Sequence, residues 1–126
     1  MTKIAYLSSY TPPIPILNIW LGYPEKSLSV GPMTAIIDTG ADATIIPRDL
    51  IDDLEAPFID DAYLKSQWGE QFAVKLFMVD IGLGDTRLPS VYVVADDYTD
   101  EIILGRNVLN RLRLLLDGPK QETQRT

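Results

Sequence analysis

Short apolar bursts separated by turn residues run the length of this chain, the pattern of strands rather than of helices. Lys3 to Leu7 reads as a short strand, and Pro12-Pro13 as a stiff, extended connector. Ile14 to Leu21 is strongly apolar and reads as a strand, with Pro15 placing it at an edge or at a strand's beginning. A turn follows over Gly22 to Lys26, then a one-sided segment or wide loop around Leu28 to Pro32, then a strand from Met33 to Asp38. Thr44 to Ile46 is a short strand. Pro47 suits a helix start, and Leu50, Ile51 and Leu54 predict a helix over Arg48 to Glu55, ended by Pro57. Strict period two appears at Phe72, Val74, Leu76 and Met78, which predicts a hairpin over Ala62 to Asp80 with its tip at Ser66 to Glu70.

Beyond the hairpin, Ile81 to Leu83 leads into a turn at Gly84-Asp85, and Leu88 to Ala95 is a further strand. Asp96 to Asp100 is a polar loop, Ile102 to Leu104 a short buried strand, and Arg106 to Arg111 a helix that turns Val108, Leu109 and Leu112 to the core. A final strand is expected at Arg113 to Leu116, stopped by Asp117-Gly118-Pro119, and the polar tail 118–126 is expected to fray. The sum is an all-β chain with one or two short helices and no internal repeat.

Composition narrows the chemistry. The 126 residues, 46% hydrophobic and 23% charged, fit a single globular domain spanning 1–126, small enough that a partner subunit would help it. There is no cysteine and no histidine. Disulfides, Ser-His-Asp and Cys-His nucleophilic sites and the usual zinc sites are therefore excluded, leaving carboxylates, Lys, Tyr or Ser for any catalysis. A net charge of −7 argues against a nucleic-acid surface. Asp52-Asp53, Asp60-Asp61 and Asp96-Asp97 lack calcium-loop spacing and read as solvated loops, so no metal and no cofactor are expected. The N-terminus turns polar too early for a signal peptide and no apolar run approaches a membrane span, so a soluble, cytoplasmic protein without membrane or nucleic-acid partners is expected.

One residue breaks the apolar pattern in an informative way. Ala35-Ile36-Ile37 ends on the carboxylate of Asp38, the chain turns at Gly40, and a second apolar run leads away. A charge at the end of a buried strand is costly unless it finds hydrogen bonds, a shared proton or a partner. Asp38-Thr39-Gly40-Ala41-Asp42 resembles the active-site loop of retropepsin-like (retroviral-type) aspartic proteases. Downstream, Ile102-Ile103-Leu104-Gly105-Arg106-Asn107 is similar to that family's second signature, and the two stand in the family's order. The acidity and the unusual N-terminal segment point to a cellular or prokaryotic member rather than a viral one.

The resemblance implies a closed acid-protease barrel, homodimeric, with Asp38 catalytic. Hydrolysis by carboxylates needs two of them, one ionised to activate water and one protonated to hydrogen-bond the scissile carbonyl, and a close pair shares one proton. This chain supplies one, so a symmetric homodimer would supply the other. Gly40 lets the backbone turn and brings its N–H toward the carboxylate. By resemblance, Thr39 clamps the partner's loop, Ala41 leaves room for a peptide or protein substrate, and Asp42 binds its main chain with Arg106 as charge partner. Gly105 and Arg106 support the loop, and Trp68 and Gly69 stand at the tip of a flap that lacks the viral glycine richness. Ile36, Ala41, Trp68, Val94 and Ile103 are candidate cleft residues with apolar preferences. The chief rival reading is a catalytically silent, dimeric peptide-binding or assembly module of the same fold.

Overall fold

The fold is described from a computed structural model covering residues 2–126. Strands β1 (Thr2–Ala5), β2 (Ile16–Gly22), β3 (Val30–Ile37) and β4 (Thr44–Pro47) lead into helix α1 (Arg48–Leu54). Then come β5 (Phe58–Lys65), β6 (Gln71–Leu83), β7 (Thr86–Asp96), β8 (Ile102–Leu104), α2 (Arg106–Leu109), β9 (Leu114–Asp117) and β10 (Glu122–Arg125).

Seven strands form one sheet in the order β2-β3-β8-β4-β7-β6-β5, and β2 also pairs with β6, which closes six of them into a barrel. The alternation along β2 shows why it closes: Leu17, Ile19 and Leu21 are buried while Asn18 and Trp20 face out. With Ile37, Ile46, Val79, Ile81, Val93 and Leu104 they form one core, which Ile51 of α1 and Val108 of α2 complete from the ends. β5 and the first half of β6 extend past the barrel as a two-stranded hairpin.

The position of β8 sets up the site. It runs parallel to β3, with Ile37 opposite Leu104, and antiparallel to β4, with Ile45 opposite Ile103. β3 and β4 therefore flank β8 rather than each other, and the residues joining them must cross over its C-terminal end.

Several boundaries differ from expectation. α1 stops at Glu55, which takes the left-handed conformation at φ 51°, two residues before Pro57. α2 is a single turn rather than a helix to Arg111. The tail does not fray. Residues 118–121 turn, with the Gln121 N–H donating to the Gly118 carbonyl, and β10 then inserts between β1 and β9 in a separate three-stranded sheet. Thr123 and Gln124 are buried there despite their polarity, so strand pairing at this position outweighs composition.

Asp80 is the one carboxylate in the barrel wall that is almost fully buried, at 1% exposure. It sits at an irregularity in β6, and its oxygens accept the N–H groups of Glu25 (3.0 Å) and Ser90 (2.8 Å) and the Arg87 Nε (2.9 Å). Burial pushes its pKa up, but the Ser90 and Glu25 amides and the Arg87 guanidinium together hold it below the ordinary 3.8. Because the folded value is depressed, its charge stabilises the fold above the unfolded value and that contribution is lost as pH falls through the folded one. Asp80→Ala is expected to cost about 2–3 kcal/mol at pH 7, since it removes the charged acceptor shared by the Glu25 and Ser90 amides and the Arg87 guanidinium. In urea unfolding measured from pH 7 to pH 2, the gap from wild type should narrow below about pH 4; a gap independent of pH would contradict the assignment.

Candidate active site

Asp38 follows β3 directly, where the chain leaves the barrel. Its N–H donates to the Leu104 carbonyl at 3.1 Å, and its own carbonyl accepts the Ala41 N–H at 3.2 Å. Its Oδ1 accepts the Gly40 N–H at 2.9 Å, the contact foreseen from the glycine's position. Asp38, Thr39 and Gly40 are all exposed in the single chain. The carboxylate is thus fixed from the backbone side and open on the other.

The second motif holds this loop from beneath. The Gly105 N–H donates to Thr44 Oγ1 at 3.1 Å, and the Arg106 N–H donates to the Ala41 carbonyl at 2.8 Å. The Thr44 hydroxyl donates to Asn107 Oδ1 at 2.7 Å, and Asn107 Nδ2 donates to the Tyr92 carbonyl at 2.9 Å. Three consecutive residues of the Gly-Arg-Asn run are tied to the Asp loop or to the strands beside it. The close crossing needs Gly105, because a Cβ there would lie 2.2 Å from the Ala43 carbonyl oxygen.

Sequence reasoning missed Thr44, which is completely buried. The available signal was a hydroxyl residue opening an otherwise apolar strand, since a buried hydroxyl needs partners. The expected Asp42–Arg106 ion pair is absent among the described residues. The Arg106 guanidinium instead donates from Nη1 to the Thr39 carbonyl at 2.9 Å. Arg106 opens α2 with its amide already on Ala41, and from there it reaches back beneath the loop, while Asp42 stays exposed.

The β5–β6 hairpin has two unlike faces. Ala62 pairs with Val74 and Leu64 with Phe72, which puts four apolar side chains on one face, while Asp61 pairs with Lys75 and Lys65 with Gln71 on the other. The period-two stretch in the sequence therefore marks the hairpin's underside, whereas the barrel half of β6 buries Phe77, Val79 and Ile81. A cavity of about 610 Å³ lies along the hairpin, walled by the apolar Ile45, Leu64, Phe72, Val74 and Val94 together with the charged Arg48, Lys75, Asp96 and Asp97. Of the candidate cleft residues Val94 lines this cavity, while Ile36, Ala41, Trp68 and Ile103 do not, and neither does Asp38.

The tip is a tight turn in which Ser66 Oγ accepts the N–H groups of Trp68 and Glu70, both at 3.2 Å. Gly69 takes φ +87°, and Trp68 projects outward at 81% exposure. Among the described residues no cluster of three or more His, Cys, Asp or Glu side chains could hold a metal ion. No described helix is long and apolar enough to cross a membrane.

Comparison with known proteins agrees with this geometry. A retropepsin-like aspartic protease from Rickettsia conorii superposes with a TM-score of 0.64 at 14% identity, over 97% of this chain and 86% of that one. The EIAV protease, solved with the inhibitor HBY-793, gives 0.57 at 19% identity, over 78% of this chain and 86% of that one. The retroviral protease-like domain of Ddi1 from Leishmania major gives 0.52 at 16% identity, over 89% of each. At these identities the likeness is one of fold. No curated protein sequence matches this chain. The family described as "gag-polyprotein putative aspartyl protease" matches residues 28–111, from before β3 to just past α2. With both motifs inside that span and a retropepsin-like barrel around them, the chain belongs to this aspartyl protease family.

Proposed function

We propose that the protein is an aspartic endopeptidase whose active site is completed by a second copy of the chain. The observation that carries this reading is the state of Asp38: anchored through Oδ1 and its backbone, exposed on its far side, and without a second such loop in the chain. Other exposed carboxylates here make a similar one-sided turn contact, but Asp38 alone makes it inside an Asp-Thr-Gly loop that the Gly105-Arg106 segment ties to the barrel. Two-fold symmetry would set it against its own copy.

In this reading one Asp38 carboxylate takes a proton from water as the oxygen attacks the peptide carbonyl, and the other, protonated, donates to the carbonyl oxygen. Collapse of the tetrahedral intermediate breaks the C–N bond, and the leaving amine takes up a proton from the pair. Arg106, Gly105 and Thr44 hold the loop from below and act as positioning residues. Thr39, exposed beside Asp38, would meet the partner's loop, and Ala41 and Asp42 would meet substrate main chain. Substrate would lie extended between the apolar underside of the β5–β6 hairpin and the cavity floor at Ile45 and Val94, with Trp68 and Gly69 at the closing tip.

The test is incubation with a mixed peptide library between about pH 4 and 7, read by mass spectrometry. Internal cleavage at a recurrent sequence pattern is the expected result. No cleavage by a protein shown to be dimeric would move the assignment to a peptide-binding or assembly module of the same fold.

A further inference from the structure

We propose that a second, polar cavity, walled by Arg111, Arg113 and Arg125, binds a small multivalent oxyanion, a phosphate or a polycarboxylate. This site shares no residue with the peptidase site proposed above. The cavity, of about 690 Å³, lies where the turn between β6 and β7 meets the loop after α2 and the end of β10. Gln71 opens β6 at the hairpin and lines the first cavity, whereas β6 ends at Leu83, just before Thr86 of the second. The two cavities therefore stand at opposite ends of that strand.

Segments far apart in sequence bring these side chains together. Arg111 and Arg113 lie in the loop between α2 and β9, Arg125 ends β10, and Thr86 opens β7. Thr86 and Asn110 add a hydroxyl and an amide to the wall, and among the described residues no Asp or Glu side chain lines it.

The three positive charges are poorly matched within the chain. Of its six arginines, the other three are engaged: Arg48 lies 3.3 Å from Asp97, Arg87 lies 2.8 Å from Asp80, and Arg106 donates to the Thr39 carbonyl. Arg111 and Arg113 are exposed and make no ion pair among the described residues; Arg111 reaches only the Pro89 carbonyl, at 3.4 Å. Arg125 is the most telling. Its side chain is only 13% exposed, and its Nη1 and Nη2 donate to neutral acceptors, Thr86 Oγ1 at 3.3 Å and the Leu83 carbonyl at 3.1 Å. The carboxylate it approaches, Asp85, is 3.7 Å away and 97% exposed, where water and salt screen it. A guanidinium withdrawn this far from water is costly without a close counter-charge. An anion in the cavity supplies one.

The donors set the ligand class. A guanidinium presents planar pairs of N–H groups that match phosphate and carboxylate oxygens. Three of them around one cavity call for more than one negative charge on the ligand. The rest of the surface calls for a small one: a chain of net charge −7 repels an extended polyanion such as nucleic acid, whereas a compact anion meets only the arginine wall. Held between Arg125 and the loop after α2, such an anion would also tie β10 to the barrel.

The test is isothermal titration calorimetry of the full chain, carrying Asp38→Asn so that no cleavage interferes, with sodium pyrophosphate and, separately, citrate at constant ionic strength. At least one of them should bind with a Kd of about 1 mM or tighter, and the tighter of the two identifies phosphate or polycarboxylate as the source. Arg111→Ala and Arg113→Ala should each weaken that binding about tenfold. Lys65→Ala, which removes an exposed cation on the hairpin, should leave it unchanged. Both arginines are exposed, so their variants should fold, and the bound anion should raise the urea midpoint of the parent but not of the Arg111→Ala, Arg113→Ala double variant. Failure of both anions to bind at that level, equal affinity in the arginine variants, or an equal loss in Lys65→Ala would overturn the site. None of these outcomes bears on Asp38, so the peptidase reading stands or falls separately.

Discussion

Asp38→Asn should lower kcat/KM for a cleaved peptide by about 10⁴-fold while leaving fold and dimer in place. The size follows from what is removed. If each copy gives one carboxylate, the substitution takes away both the group that accepts the water's proton and the group that donates to the carbonyl. Each role alone is worth about 10²–10⁴-fold. The structural cost is small because the amide oxygen of Asn can still accept the Gly40 N–H that Oδ1 accepts now. Steady-state kinetics beside sedimentation and urea unfolding would check all three parts. Activity within tenfold of wild type would remove Asp38 from the chemistry.

Gly105→Ala should be the most damaging single methyl in the molecule. The crossing of the Asp loop over the end of β8 leaves no room for it: the new carbon would meet the Ala43 carbonyl oxygen at 2.2 Å and the Ala41 carbonyl oxygen at 3.0 Å. Both neighbours are backbone, so no side chain can swing aside. Relief requires lifting the loop, which breaks the Gly105–Thr44 and Arg106–Ala41 hydrogen bonds and displaces Asp38. A loss of about 3 kcal/mol in urea unfolding is expected, together with loss of cleavage. Gly118→Ala is the control, because nothing lies within 4 Å of its added carbon and its change should stay within about 0.5 kcal/mol. Equal effects at the two glycines would mean that the crossing is not tight.

The residues that carry these predictions differ in how far the sequence announced them. Asp38 drew attention because it breaks a strong local pattern, a charge ending an apolar run, whereas Gly105 was singled out only through the resemblance of its segment to the family's second signature. The all-β class was legible from strand-length apolar bursts with turn residues between them, while the closed barrel was implied only by the resemblance. Arg106 was assigned to the right region but to the wrong partner. Choosing between the Asp42 carboxylate and the Thr39 carbonyl depends on where the crossing loop points, and that follows from β8 lying between β3 and β4, a long-range pairing that no local pattern encodes. Thr44 was overlooked because its burial depends on the same pairing.

β10 was misjudged for a different reason. Glu122-Thr123-Gln124-Arg125 has no apolar face of its own, and it becomes a strand because β1 and β9 both offer it an edge. Asp80 likewise gives no sign in sequence that its acceptors will be filled by Glu25 and Ser90, from two other parts of the barrel.

The central claim is that one site is built from two copies of Asp38. Its most direct measurement is subunit mixing: wild type and Asp38→Asn are unfolded together in equal amounts, refolded well above the dimer dissociation constant, and assayed for cleavage. With a shared site, half of the wild-type chains sit opposite a variant chain, and the rate per wild-type chain falls to about half. A rate per wild-type chain that does not change would mean that a single chain holds a complete site, and would contradict a site shared between two copies.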